Sequence, residues 1–337
     1  MKKDLSGLVF TRTSMLDTLY ARGPIPITPR SKTITIPAGG RSWESERSLR
    51  SAYDAAAVLT SFGHRARVID TANLAFPQQM RGADVALLAF VNCHAEDGSL
   101  QGYLETCGVP YTGSGVLASA LARHKPTAKT VAKAAGVPVL PDVRVAPTVN
   151  SDTAAHEVLT ALGIPVIVKP ETGTESVGIT VARCQADLAA CLATCSGSEE
   201  QLFAEPFIAG RAVAVGVLEI DGTPVPFPVV ETAFQGEFYD HDAKWNPALR
   251  TYSCPAELPA TVSSKLADAA LRAHVALGCT GYSRSDFVVS DDGSIHWLEI
   301  NVVPGLRRQA TFVVGAETAG IRFEDIFDNL IQAAARR

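Results

Sequence analysis

The chain has 337 residues, of which 47% are hydrophobic and 19% are charged, and its net charge is −5. This length is enough for two or three modest domains, since single hydrophobic cores usually stop growing at roughly 250–300 residues. The composition excludes an intrinsically disordered chain, and the acidic balance argues against nucleic-acid binding, which needs a basic surface. No apolar run reaches the roughly 20 residues of a membrane span. We expect a cytoplasmic protein that binds neither nucleic acid nor membrane.

The seven cysteines of the chain are an odd number, and no two of them form a CxxC pair. Cys191 and Cys195 lie four residues apart, but the second pair of ligands that a zinc site needs does not follow them. We therefore interpret the cysteines as small buried thiols in a reducing compartment.

The first residues of the chain lack a regular hydrophobic pattern. The segment GPIPITPR (23–30) contains three prolines, and proline removes a backbone donor and fixes φ. We interpret residues 1–35 as an N-terminal arm that crosses the surface. The β-branched run KTITIP, which starts at Lys32 and overlaps the end of this arm, predicts a strand. Leucines and alanines at helical spacing then predict a helix that ends near Phe62, with Gly63 as its cap.

The next segments predict a parallel sheet. ARVID (66–70) and VALLAF (85–90) are nearly continuous apolar runs, as is typical of strands buried on both faces. The order strand, helix, strand indicates a doubly wound, Rossmann-like α/β domain over residues 36–120.

Beyond YTGSG the pattern changes. We predict a helix around residues 115–135, a second helix over 152–162 and a strand at 165–170, within a small α+β domain that spans 121–210. Strands dominate a larger C-terminal domain over 211–337, which closes with a helix, so the fold class is α/β with α+β character. The strand segments are FAEPFI, VAVGVLEI, SDFVVS and HWLEIN, and the closing helix covers about 323–336.

Lys169 ends an apolar strand and is followed by the polar loop ETGTESVG. An ammonium group beside the backbone amides of a Gly/Ser/Thr loop suits phosphate oxygens. The chain contains no GxxxxGK[ST] motif, so this is not a Walker-type loop. Taken alone, the lysine is weak evidence, and a surface lysine at the end of a strand is the favoured interpretation.

Asp286 and the segment LEIN (298–301) predict an antiparallel hairpin around the turn DDGS (291–294). Glu299 and Asn301 are two residues apart, so they face the same side of the sheet. Three oxygen ligands on a rigid hairpin can hold Mg²⁺ together with nucleotide phosphates. The competing interpretation is a solvated hairpin with scattered polar residues.

Two further groups lie near this hairpin. Arg284 precedes Asp286 by two residues and should point to the same face, where a guanidinium could stabilise an oxyanion or an acyl phosphate. The amide of Gly305 follows the second strand and could donate to the same oxyanion. Together these residues predict a site for phosphoryl transfer onto a carboxylate.

With these residues in place, the chain resembles the ATP-grasp superfamily and, within it, the D-alanine–D-alanine ligase family. The resemblance runs from about residue 36 to the C-terminus. The segments that carry it include GGRSWESERSLRSA (39–52), EDGSLQGYLETCGVPYTGSGVLASALARHK (96–125), PVIVKPETGTESVG (165–178), EFYDHDAKW (237–245), CPAEL (254–258), GYSRSDF (281–287) and LEINVVPGL (298–306).

The resemblance implies an ATP-grasp fold and a two-step reaction, in which a carboxylate is phosphorylated by ATP and the acyl phosphate is then attacked by an amine. It also implies a homodimer and two Mg²⁺ ions, for which Mn²⁺ could substitute. The residues implied for ATP binding are Lys125, Lys169, Glu205, Phe207, Ile208 and Lys244. Those implied for the metal are Asp286, Glu299 and Asn301, and those implied for catalysis are Arg284, Gly305, Glu44 and Ser176.

The substrate side departs from the family pattern. The family acid that holds the ribose falls on Ala212, and the family serine for the carboxylate of the second amino acid falls on Ala310. The carboxylate of Glu175 would add a second negative charge near Glu44. A cationic substrate group, or the new Arg307 or Arg308, could balance this charge. Alternatively, Glu175 could simply point to solvent from a mobile loop. The substrate-pocket candidates are Glu96, Val91, Glu175, Trp245, Arg307, Arg308 and Ala310.

The leading hypothesis is an ATP-dependent carboxylate–amine ligase that joins two amino acids or analogues, with a pocket retuned for a specialised biosynthetic route. The alternatives are a cell-wall D-alanine–D-alanine ligase with unusual pocket residues and a non-catalytic ATP-binding relative. A dehydrogenase is disfavoured, because the turn GGRS lacks GxGxxG.

Overall fold

The computed structural model describes residues 31–41, 45–89, 93–145, 150–174, 176–194, 200–236, 244 and 246–336. Most of the proposed arm lies outside these ranges, although the first strand begins at Thr33 and so takes up its last residues. Four residues proposed for the substrate side also lie outside the described residues: Glu44, Val91, Glu175 and Trp245.

The N-terminal unit is built on a parallel sheet, as predicted. Strand β1 lies between β2 and β3, and both neighbours run parallel to it. Helix α1 covers this sheet with the buried residues Ala52, Ala55 and Leu59, and Gly63 follows the helix with φ +83°. The elements are β1 (Thr33–Ala38), α1 (Ser45–Ser61), β2 (Arg65–Asp70), α2 (Phe76–Gln79), β3 (Val85–Ala86), α3 (Cys93–Glu96) and α4 (Ser99–Thr106).

The predicted strand over VALLAF is shorter than expected, because only Val85–Ala86 has strand geometry. Leu87 and Leu88 remain buried, but the backbone of Leu88 leaves the sheet to meet side chains. Its amide donates to the Thr112 hydroxyl at 2.9 Å, and its carbonyl accepts from the Tyr282 hydroxyl at 2.5 Å. These contacts connect the N-terminal sheet to the C-terminal one.

The helix predicted around residues 115–135 is two helices, α5 (Val116–Arg123) and α6 (Lys125–Ala134). They meet at His124, whose extended backbone ends α5 and whose Nδ1 accepts from the amide of Thr127 at 3.3 Å. Pro126 lies in the first turn of α6, where a residue without an N–H group is tolerated. The break places Lys125 at the first turn of a helix instead of in the middle of one.

The central unit is a four-stranded antiparallel sheet in the order β4-β7-β5-β6. Two helices cover it, and the first begins at Asn150, whose side chain accepts from the amide of Asp152 at 2.9 Å. All five residues of β5 are buried, including Lys169. The elements are β4 (Val143–Val145), α7 (Ser151–Leu162), β5 (Val166–Pro170), β6 (Thr180–Ala182), α8 (Gln185–Thr194) and β7 (Leu202–Pro206).

The C-terminal unit contains the largest sheet, in the order β11-β10-β8-β12-β13, with β9 paired to β8. Trp297 is fully buried in its core, and its indole donates to Ser285 at 3.1 Å. The elements are β8 (Arg211–Ile220), β9 (Thr223–Pro226), β10 (Val230–Phe234), a 3₁₀ turn (Pro247–Leu249), β11 (Arg250–Ser253), α9 (Ala260–Ala276), β12 (Tyr282–Val289), β13 (Ile295–Asn301), α10 (Thr311–Thr318) and α11 (Phe323–Ala334).

The packing of α6 differs from the sequence division at residue 121. Ala128 and Ala132 of this helix belong to the same core as α9, β12 and β13, so α6 packs against the C-terminal sheet, while its Lys129 contacts Glu205 of the central sheet. The helix therefore reaches the hairpin that carries Asp286 and Glu299.

Two expectations about the whole chain can be compared with the described residues. None of the helices described is long and apolar enough to cross a membrane. The interpretation of the cysteines as buried thiols is wrong for most of those described: Cys107 and Cys184 are exposed, Cys191 and Cys254 are half-buried, and Cys279 is buried. All five are free thiols.

Candidate active site

A cavity of about 320 Å³ lies where α6, the central sheet and the C-terminal sheet meet. It brings together most of the predicted site residues that the structure describes, although they come from distant parts of the sequence. Those that line it are Glu96, Lys125, Lys169, Ser176, Glu205, Phe207, Ile208, Lys244, Arg284, Asp286, Glu299, Asn301, Gly305, Arg307 and Ala310.

Lys125 connects three parts of this cavity. It lies in the first turn of α6, and its Nζ is 3.5 Å from Glu299 Oε2 on β13. The same ammonium donates to the carbonyl of Gly173 in the loop that follows β5. Burial lowers the pKa of Lys125, and the neighbouring cations Arg123, Lys169 and Lys244 lower it further, against the opposing effect of Glu299. A cation in this position is available to a phosphate.

Glu299 is surrounded by positive charge. Removal from bulk solvent raises the pKa of this carboxyl, but Lys125, Lys244, Lys169 and Arg284 outweigh that effect and lower the pKa to about 2. Because the group stays ionised at any physiological pH, it can serve as a metal ligand without losing a proton first.

The predicted hairpin is confirmed, with Asp286 directly opposite Glu299 and Arg284 opposite Asn301. Arg284 points to the same face as Asp286, and its guanidinium donates to both carboxylate oxygens at 2.7 and 2.8 Å. A bulge follows Asp286 and shifts the register of the remaining pairs. Bulges of this kind often re-aim side chains near active sites.

The oxygens of this hairpin fit a hard divalent cation. Asp286 and Glu299 supply carboxylates at opposite positions of a rigid ladder, and Asn301 Oδ1 accepts from the Val303 amide at 2.8 Å, which fixes its orientation. Within the described ranges no three His, Cys, Asp or Glu residues group into a metal site. Two carboxylates and an amide leave coordination positions for phosphate oxygens, as Mg²⁺ prefers.

A buried chain of charges borders the apolar end of the cavity. Glu205 is 1% exposed, and its two oxygens accept from Lys169 and from Lys129, the latter at 2.6 Å. Lys129 also lies 3.0 Å from Asp142. Burial raises the pKa of Glu205, but Lys169 and Lys129 outweigh that effect and hold it below its usual value. The apolar residues that line the same cavity include Leu140, Ile167, Phe207, Ile208 and Val288, a lining suited to a flat aromatic base.

The wall of the cavity contains a second ion pair. Arg123, at the end of α5, donates to Glu96 at 2.9 Å, and both residues line the cavity. Glu96 is thereby held at the cavity wall, beside the loop that precedes α4.

The two arginines proposed for the substrate pocket lie in different places. Arg307 lines the cavity, and in the part of the chain described its guanidinium contacts no acid or hydrogen-bond acceptor. Arg308 instead pairs with Glu317 at 3.3 Å and Glu324 at 2.9 Å, and its guanidinium lies over the Phe323 ring. These contacts hold Arg308 against α10 and α11, so the structure does not bring it to the cavity.

The structure also describes Ala310 and Ala212, the two positions at which the resemblance leads us to expect a polar side chain. Ala310 precedes α10 at the cap position and makes no side-chain hydrogen bond there. Ala212 on β8 lines the cavity directly opposite Thr232 on β10, and Thr232 is buried and lines the cavity too. Its hydroxyl is a polar group on the same face of the sheet as Ala212.

Several of these residues were not anticipated from the sequence. Lys129 lies four residues after Lys125, which puts both lysines on one face of a helix. This spacing could have indicated from the sequence that Lys129 lies near the site. Arg123 and Thr232 gave no such signal, because their role depends on contacts between distant elements.

Comparisons with known proteins identify the family to which the chain is related. The family described as D-ala D-ala ligase C-terminus matches residues 131–332. A D-alanine–D-alanine ligase from Geotalea uraniireducens is 38% identical over 307 residues, which cover 91% of this chain and 96% of that protein. One from Desulforudis audaxviator is 37% identical over 309 residues, which cover 91% and 99%.

Two solved structures have the same architecture. A D-alanine–D-alanine ligase from Bacillus anthracis, complexed with ATP, superposes with a TM-score of 0.78 at 25% identity and covers 91% of this chain and 98% of its own. A D-Ala:D-Ser ligase from Enterococcus faecalis superposes with a TM-score of 0.75 at 25% identity and covers 90% and 100%.

Proposed function

The chain belongs to the D-alanine–D-alanine ligase family of the ATP-grasp superfamily, and on this basis we propose that it is an ATP-dependent ligase. It joins a carboxylate to an amine and releases ADP and phosphate. The observation that carries the proposal is the convergence of Lys125, Lys169, Arg284, Asp286 and Glu299 on one cavity.

The first step is transfer of the γ-phosphoryl group of ATP to a substrate carboxylate. Lys125 and Lys169 would bind the phosphates, and the loop of Gly173 would cover them, which the hydrogen bond from Lys125 to the Gly173 carbonyl supports. Positioning and charge neutralisation provide most of the catalysis in phosphoryl transfer. Asp286, Glu299 and Asn301 would hold Mg²⁺, or Mn²⁺, and two bound ions would neutralise the charge of the phosphate oxygens.

The second step is attack of an amine on the acyl phosphate, with loss of phosphate. The carbonyl oxygen becomes negative in this step, and the Arg284 guanidinium and the Gly305 amide, which both line the cavity, would stabilise it. Glu44 would hold the amino group of the first substrate, and Ser176 would help to close the loop over both substrates.

We place the specificity for the amine-bearing substrate at Arg307. Ala310 has no hydroxyl to offer a carboxylate, whereas Arg307 lines the same cavity two residues after Gly305. A guanidinium can bind a carboxylate through two parallel hydrogen bonds. We propose that this altered carboxylate contact accompanies a pocket that prefers an amino acid, or an analogue, other than D-alanine.

The matched pair Arg307→Gln and Arg308→Gln tests this assignment. With an amino acid as acceptor, the first change should raise the acceptor KM by about tenfold or more, since a hydrogen bond to a charged group contributes about 1.5–3 kcal/mol. The second should leave it unchanged. The acceptor can also be supplied as its α-amide, which has no carboxylate. If the wild-type enzyme couples the amide as efficiently as the acid, Arg307 does not bind a carboxylate.

A second candidate is a D-alanine–D-alanine ligase proper, because relatives up to 38% identical carry that name. Incubation with ATP, Mg²⁺ and pooled D- and L-amino acids, followed by mass spectrometry of the products, separates the two. Efficient coupling of D-alanine alone would favour the second candidate. Release of no ADP with any pair would favour a non-catalytic ATP-binding relative and contradict both.

We also propose a cytoplasmic homodimer, as the family resemblance implies. Light scattering coupled to size-exclusion chromatography would give the mass of the particle, and a mass near the 35.6 kDa of a single chain would contradict the dimer.

A further inference from the structure

We propose that Lys129 is a positioning residue that makes the nucleotide site selective for adenine, by holding Glu205 as an oriented hydrogen-bond acceptor at the edge of the base slot. This inference rests on the proposed use of ATP and adds a residue that lies outside the cavity itself.

The geometry consists of alternating charges. Asp142 contacts Lys129 at 3.0 Å, Lys129 contacts Glu205 Oε2 at 2.6 Å, and Glu205 Oε1 accepts from Lys169. Glu205 and Lys169 line the cavity, whereas Lys129 lies behind them, 1% exposed, with its ammonium 5.4 Å from the centre of the Phe203 ring. Lys129 can therefore act on a ligand only through Glu205.

The chain of charges determines which hydrogen bonds Glu205 can make. Burial favours the protonated form of a carboxylate, and each cation beside it opposes that effect. Two ammoniums, one on each oxygen, keep it ionised and fix its plane. An ionised carboxylate is an acceptor only and has about four lone-pair sites. Two of these remain for a ligand that can donate.

The purine bases differ in what they present to such an acceptor. Adenine has a 6-amino group, which donates, whereas hypoxanthine and guanine have a 6-oxo group, which accepts and would face the carboxylate without a hydrogen. A site built around a hydrogen bond to a charged group discriminates strongly against the analogue that cannot make it. Lys129 would thus affect the choice of base without contacting it.

The test compares the binding of ATP and ITP, each with Mg²⁺, by calorimetry, and needs no amino-acid substrate. We expect the wild-type protein to bind ATP at least about tenfold more tightly than ITP. In Lys129→Met the affinity for ATP should fall by about tenfold or more while that for ITP changes little, so that the preference is lost. Lys133→Met, an exposed lysine one turn further along α6, should keep the preference.

A double variant distinguishes a coupling between Lys129 and Glu205 from a general loss of folding. Lys129→Met combined with Glu205→Gln removes one positive and one negative charge together, and its ATP-to-ITP ratio should equal that of Glu205→Gln alone. Equal losses for ATP and ITP in Lys129→Met would mean a merely structural role and would overturn the inference. Additive effects of the two changes in the double variant would also overturn it. The same holds if the wild-type protein binds ATP and ITP equally well. Absence of binding of both nucleotides to the wild-type protein would overturn the proposed function as well.

Discussion

The Lys125 ammonium lies 3.5 Å from the Glu299 carboxylate, although the first residue begins α6 and the second lies near the end of β13. The contact joins a group suited to phosphate with a group suited to a metal cation. Each neutralises the other in the absence of ligands, so neither charge is left alone in the cavity. A bound nucleotide would offer its phosphate to Lys125, and the cation of that nucleotide would offer its charge to Glu299.

Removal of the Glu299 charge should stop the reaction without unfolding the protein. In Glu299→Gln the strand that carries the side chain is unchanged, but an oxygen ligand with a full negative charge is lost. We expect ADP release to fall by at least about a hundredfold, with a melting temperature close to that of the wild type. A coupled ADP assay and a thermal scan measure the two quantities.

The control for this change is Asp291→Asn, in the exposed turn of the same hairpin, which should keep full activity. Turnover of Glu299→Gln near the wild-type value would show that the metal is bound elsewhere.

The pH dependence of ATP use should reflect Lys125. Burial holds the pKa of this group below the usual value of 10.5, so it loses its proton at a lower pH than an exposed lysine does. Since a neutral amine binds phosphate poorly, kcat/KM for ATP should fall at alkaline pH, below the pH at which an exposed lysine would lose its proton. In Lys125→Arg the charge persists, because guanidinium has a pKa above about 12, and the alkaline decline should move to higher pH.

Lys265→Arg, an exposed lysine on α9, serves as the comparison and should leave the profile unchanged. An alkaline decline that is the same in Lys125→Arg as in the wild type would assign it to another group.

Much of the fold could be predicted from local patterns. Period-two and continuous apolar runs identified β1, β2, β5 and the hairpin β12–β13, and the spacing of Glu299 and Asn301 fixed their common face. These features depend on neighbours in sequence, so they are readable without the rest of the chain. The break between α5 and α6 was also readable, because Pro126 lies within the predicted helix.

Other features depend on contacts between distant elements and could not be predicted. The end of the strand at Ala86 depends on hydrogen bonds to Thr112 and Tyr282. Arg307 and Arg308 are adjacent in a turn, where side chains do not follow a helix or strand periodicity. The sequence pattern therefore does not show which of them faces the cavity. The pairing of Lys129 with Glu205 joins a helix to a strand 76 residues away.

Thr232 should contribute to ribose binding in place of the acid that Ala212 lacks. The two residues are opposite each other on β10 and β8, and both line the cavity. Thr232→Val keeps the shape of the side chain and removes the hydroxyl. We expect the KM for ATP to rise about threefold to tenfold, as for the loss of one neutral hydrogen bond, with little change in kcat.

Deoxynucleotides make this test specific. The wild-type enzyme should prefer ATP to 2′-deoxy-ATP or to 3′-deoxy-ATP, and Thr232→Val should lose that preference. Thr251→Val, on the exposed part of the neighbouring strand β11, should retain it. A preference that survives in Thr232→Val would mean that the ribose hydroxyls bind elsewhere.

The hydroxyl of Tyr282 should stabilise the contact between the N-terminal and C-terminal units. Tyr282 is fully buried on β12, and its hydroxyl donates to the carbonyl of Leu88 at 2.5 Å. Tyr282→Phe leaves that carbonyl with only the weaker contact from the Thr112 hydroxyl at 3.5 Å. Because a buried group without its partner costs about 1–3 kcal/mol, the free energy of unfolding in urea should fall by about 1–2 kcal/mol.

Tyr53→Phe provides the matched change at a residue that is 62% exposed, and it should leave the unfolding midpoint unchanged. Equal midpoints for Tyr282→Phe and the wild type would mean that water or Thr112 satisfies the Leu88 carbonyl. If the midpoint falls as expected while the KM for ATP stays constant, the hydrogen bond stabilises the packing of the two units and does not shape the nucleotide site.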